Sequence, residues 1–71
     1  MKQCTERDKE ILHFIMEYTE NHGYSPSVRE IGKSLYLSST TTYRHLYKLV
    51  ELGYLSMTPK TPRSIVIRLA V

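Results

Sequence analysis

Seventy-one residues, 41% of them hydrophobic and 24% charged, make one small globular domain and exclude a multi-domain enzyme. No apolar run approaches the roughly 20 residues of a membrane span, and the polar start MKQCTERDKE has no apolar stretch of a secretory signal behind it, so a cytoplasmic protein off the membrane is expected. The net charge of +3 is uneven: residues 1–22 hold three bases against five acids, and residues 23–71 hold seven bases against two, an asymmetry suited to one face meeting a polyanion.

The chain has no repeats, low-complexity tracts or linkers and reads as a single unit over 1–71. Thr5 precedes a run in which Ile11, Phe14, Ile15 and Tyr18 share one helical face while Lys9, His13, Glu17 and Glu20 fall opposite, which predicts an amphipathic helix over roughly 6–21. Gly23 is a left-handed stop and Pro26 keeps the following chain extended. Ser27-Val28-Arg29-Glu30 is a capping box that opens a second, short helix to about Leu35, with Val28, Ile31 and Leu35 inward. Gly32 lies inside it, at a cost of about 1 kcal/mol relative to alanine, so a close crossing with the next helix is expected there.

Ser38-Ser39-Thr40-Thr41-Thr42 supplies several caps for a third helix ending near Leu52, ahead of Gly53, with Tyr43, Leu46, Leu49 and Val50 as its core stripe. The period then changes from 3.6 to 2. Residues 54–58 and 64–69 are predicted strands, and Pro59-Lys60-Thr61-Pro62-Arg63 between them is a turn whose prolines cannot sit inside a ladder. The fold class is therefore mainly α with a small β-hairpin, three helices plus a two-stranded wing.

Two helices joined by a turn of about three residues, the second opening with small hydroxyl residues, match a helix-turn-helix whose second member enters the DNA major groove, and the basic hairpin is its wing. At 100° per residue from Leu46, Thr40, Thr41, Arg44, Lys48 and Glu51 fall within about 60° of the outward direction. Arg44 can offer its planar fork to guanine O6 and N7, and Thr40 and Thr41 can bond base edges or pack on thymine methyls. Lys48, one turn further on, is assigned to phosphate. Ser38 and Ser39 stand where orphan amides favour a phosphate oxygen, and one of them must cap the helix. Lys60 and Arg63 flank the stiffened hairpin tip and are assigned to backbone phosphate or the minor groove.

Chemistry of other kinds has little support. The lone Cys4 cannot form an internal disulfide or a thiolate cage, and His13, His22 and His45 share no metal-ligand spacing. His13 and Glu17 are a helix-surface pair, His45 flanks the third helix toward packing, phosphate or solvent, and no nucleophile has a base partner. No enzyme activity, metal, cofactor or small-molecule ligand is expected. The competing reading is a winged helix used as a protein-interaction module, or an excised fragment of a longer regulator, because six tyrosines could furnish a partner surface. Tyr18 and Tyr43 lie on inward stripes, whereas Tyr24, Tyr36, Tyr47 and Tyr54 are less constrained.

Gly23-Tyr24-Ser25-Pro26-Ser27-Val28-Arg29-Glu30-Ile31-Gly32, with Thr5-Glu6-Arg7 and Ile11-Leu12-Phe14-Ile15 ahead of it, resembles the winged-helix DNA-binding domain of the LexA repressors. The likeness continues through His45-Leu46, Lys48-Leu49, Glu51-Leu52-Gly53-Tyr54-Leu55 and Lys60-Thr61-Pro62-Arg63-Ser64-Ile65. It implies a repressor-like domain that reads double-stranded operator DNA with Ser39, Thr40, Thr41, Tyr43 and Arg44 and touches backbone with the wing. A lone domain of this size covers about 600–1,000 Å² of DNA, so a homodimer on inverted half-sites is expected. Three departures stand out. No self-cleaving peptidase domain is expected to follow, and with it no autoproteolysis; the turn between the second and third helices is one residue shorter; and Tyr36 stands where family members often have glycine. The reading residues also differ, so an operator sequence does not transfer.

Overall fold

A computed structural model describes residues 4–58, 61 and 63–68. Helix α1 runs over Glu6–His22, α2 over Val28–Leu35 and α3 over Ser39–Glu51; the strands are β1, Leu55–Ser56, and β2, Val66–Ile67. The expected mainly α architecture with a terminal hairpin is the observed one, a winged helix-turn-helix.

The helix starts are fixed locally. Thr5 caps α1 and Asp8 answers it: the Asp8 amide donates to Thr5 Oγ1 at 3.2 Å and the Thr5 amide to Asp8 Oδ2 at 2.8 Å. Ser27 and Glu30 form the expected box at the start of α2, with bonds of 3.1 and 2.8 Å. Each box satisfies two backbone donors that the first turn leaves orphaned. Gly23 ends α1 at φ 80°, its amide bonded to the Thr19 carbonyl at 2.8 Å.

Ile11, Ile15, Ile31, Leu46, Leu49, Leu55 and Ile65 form the buried core, so every helix and both arms of the hairpin region contribute. On α3 the buried positions are Thr42, Leu46 and Leu49. Tyr43, expected on the core stripe, is instead 37% exposed. The cause is Gly32: a Cβ there would lie 2.8 Å from the Leu37 carbonyl oxygen and 3.0 Å from Thr42 Oγ1. Without one, α3 seats Thr42 against α2, and the Thr42 hydroxyl is satisfied by the Ser38 carbonyl at 2.8 Å. The centre of the buried stripe thus turns roughly 30° away from Leu46, on the side opposite Tyr43.

The hairpin is antiparallel with Leu55 opposite Ile67 and Ser56 opposite Val66. Regular pairing is shorter than the strands predicted over 54–58 and 64–69. Toward the tip the Ser64 side chain replaces the ladder, accepting from the Thr58 amide at 3.0 Å and donating to the Thr58 carbonyl at 2.9 Å. At the other end the Arg68 amide donates to the Tyr54 carbonyl at 2.7 Å.

Candidate nucleic-acid interface

The first residues of α3 are shaped by Ser38. Its hydroxyl accepts the Thr41 amide at 3.2 Å and donates to Thr41 Oγ1 at 3.0 Å, so of the two serines Ser38 is the cap. Thr41 is half-buried and committed to that exchange, whereas Ser39 and Thr40 are exposed. Arg44 is exposed one turn further on. Because the buried stripe is rotated, Tyr43 joins this surface and stacks on Tyr47, itself 50% exposed, with ring centroids 5.9 Å apart. The outward face of α3 therefore carries Ser39, Thr40, Tyr43, Arg44 and Tyr47. Tyr47 escaped the periodicity argument because its angle was measured from Leu46 and not from the true centre of burial.

The same rotation carries Lys48 to the flank facing α1. Its Nζ lies 3.0 Å from Oδ2 of Asp8, a side chain with no exposed surface. His45 Nδ1 stands 2.6 Å from the other oxygen, Oδ1, and must be the donor because an ionised carboxylate only accepts. Burial pushes the Asp8 carboxyl up, but the Thr5 amide, His45, Lys48 and the Thr5 hydroxyl together hold it well below the usual carboxylate range. Lys48, assigned from its angle to a phosphate, thus has its charge engaged inside the protein. An aspartate three residues after a capping Thr5, and two bases at an i,i+3 spacing on α3, were the signals available for this cluster.

Arg63, too, has partners within the protein. From a left-handed backbone (φ 55°) its guanidinium packs over the Tyr24 ring at 4.7 Å. It donates to the Ser25 carbonyl at 3.0 Å and pairs with Glu30 Oε1 at 2.9 Å. The Ser27 amide, then Arg63, lower the Glu30 carboxyl to about 2. Arg63 therefore ties the hairpin to the α1–α2 corner while its side chain stays partly exposed. Lys60, the other wing residue assigned to phosphate, lies outside the described residues. A shallow depression of about 260 Å³ separates the start of α2 and Tyr43 from the hairpin, and Arg29 stands exposed on its rim. Arg29 has no side-chain partner among the described residues, and sequence reasoning had given it no role beyond the second helix's capping box.

Among the described residues no three His, Cys, Asp or Glu side chains are grouped to hold a metal, and no helix is long and apolar enough to cross a membrane.

Comparison with known proteins matches residues 1–64 to the family described as the LexA DNA binding domain. The chain belongs to the LexA DNA-binding domain family. Over 66 residues it is 44% identical to the LexA repressor of Staphylococcus aureus (strain USA300), an overlap of 92% of this chain and 32% of that protein. The LexA repressors of Thermosipho africanus and Thermosipho melanesiensis are 42% and 40% identical over 65 residues, again 92% of this chain and 33% of theirs. The chain spans about a third of the length of the curated relatives it matches. In this LexA DNA-binding domain, α2 and α3 form the helix pair of the helix-turn-helix.

Proposed function

We propose that this chain binds double-stranded DNA sequence-specifically by inserting the first two turns of α3 into the major groove, and that it serves a repressor-like regulator of transcription. Thr40, Tyr43 and Arg44 face the base edges, Arg44 as the bidentate reader of a guanine. Ser39 and Arg29 approach phosphates on either side, Arg29 from the start of α2. Ser38 and Thr41 act by shaping the helix tip and presenting its amides, not through their own hydroxyls, which bond each other. Arg63 acts by placing the wing. The observation that carries the reading is that α3 is held on its α1 flank by Asp8 while the face around Arg44 and Thr40 is left exposed. The relatives are named repressors, which supports the regulatory half of the reading.

Two copies on inverted half-sites would give the affinity that one small module lacks. Selection of bound duplexes from a random pool tests all of this together. The expected result is a symmetric consensus, with affinity falling against salt at a log–log slope of roughly −3 to −6. No enriched sequence and a flat salt response would instead identify a protein-interaction module.

A further inference from the structure

Tyr36 is 95% exposed, the most exposed large hydrophobic side chain among the described residues, and its backbone is left-handed at φ 59°. Both features count against it as a structural residue. A tyrosine in this region is strained where glycine is not, and a ring in solvent returns nothing to the core. The backbone around it is nevertheless well fixed. The Leu37 amide donates to the Gly32 carbonyl at 2.8 Å and Leu37 packs on the core, so the three-residue turn presents the Tyr36 side chain from a rigid base.

The surroundings of Tyr36 indicate what it meets. Lys33, Ser34, Ser39 and Thr40 are exposed on either side of it along the chain, hydrogen-bond donors with a cation among them. Tyr36 stands two residues ahead of the cap of α3, hence within about 7 Å of it along the backbone. Its hydroxyl has no partner among the described residues. We propose that Tyr36 is a DNA-backbone contact, its phenol donating to a phosphate oxygen beside the stretch of groove that the start of α3 enters. This rests on the DNA-binding reading and adds a contact to it: a strained turn residue retained for its side chain.

The probe is a mixed-sequence duplex of about 20 base pairs, because a phosphate contact is independent of sequence. Tyr36→Phe keeps the ring and the turn and is expected to weaken binding about five- to tenfold. The slope against salt should stay at the wild-type value, since a phenol releases no counterion. Tyr36→Gly should weaken binding at least as much while melting no lower than wild type. If the wild-type chain binds with its salt dependence and both variants bind within about twofold of it, the proposal is overturned and the DNA-binding reading stands. A marked fall in the melting temperature of Tyr36→Gly would also overturn it, by giving Tyr36 a structural role. A wild-type chain that does not bind the duplex at all would overturn both.

Discussion

Asp8, at the start of α1, and Lys48, in the last turn of α3, meet at 3.0 Å through a carboxylate with no exposed surface. With His45 on the second oxygen, this one side chain caps a helix and fixes the flank of another. Removing Asp8 loses the cap bonds and leaves two bases facing each other, so Asp8→Ala should cost about 2–4 kcal/mol of folding free energy by urea denaturation. Lys48→Ala leaves His45 in place and should cost about 1–3 kcal/mol. The salt slope of DNA binding should not change in the Lys48 variant; a slope shallower by about 0.9 would return Lys48 to phosphate.

Acid stability follows from the same carboxylates. Asp8 and Glu30 both titrate below their ordinary values of 3.8 and 4.5 in the folded chain, Glu30 at about 2. A carboxyl lowered by folding contributes fully above its unfolded pKa, and the contribution disappears as pH falls through the folded one. Stability should therefore hold from neutrality to about pH 5 and decline from about pH 4.5 toward 2. Glu30 is partly exposed, so Asp8→Asn should flatten the decline more than Glu30→Gln does. Urea midpoints at pH 7, 4 and 2.5 give the comparison, and parallel declines in all three proteins would refute the assignment.

Arg44 is the residue expected to read a base. Arg44→Ala should cost about 1–3 kcal/mol on the selected duplex and much less on random sequence, relaxing preference at one position. Equal losses on both duplexes would make Arg44 a phosphate contact.

Arg29 and Arg63 should separate cleanly. Arg29→Ala is expected to leave the melting temperature near wild type and reduce the salt slope by about 0.9. Arg63→Ala removes the Glu30 pair and the bond to Ser25, and should speed amide exchange at Thr58 and Val66 without a comparable change in slope. The reverse pattern would put Arg63 on the DNA.

Local chemistry made most of the fold legible. Ser27 with Glu30, Gly23 and the change of period after Gly53 each act within a few residues; the helices appear where those signals put them, and the strands lie within the predicted segments but are shorter. The exposure on which the proposed site depends was legible, as at Ser39, Thr40 and Arg44. The ion pairs of Lys48 and Arg63 were not legible, because their partners, Asp8 and Glu30, come from other helices. Tyr43 and Thr42 exchanged places for a similar reason. The size of one side chain on α2 decides the rotation of α3, and a helical wheel drawn from α3 by itself carries no term for it.

Among the described residues, regular ladder pairing of the hairpin is confined to Leu55 with Ile67 and Ser56 with Val66. So short a ribbon has little stiffness of its own, and its lean against the helices is set by the guanidinium near its tip. Chain length at the tip then becomes a separate variable from the tilt of the ribbon: residues inserted between Thr58 and Thr61 should lengthen the reach of the wing while Arg63 keeps its bearing on the α1–α2 corner.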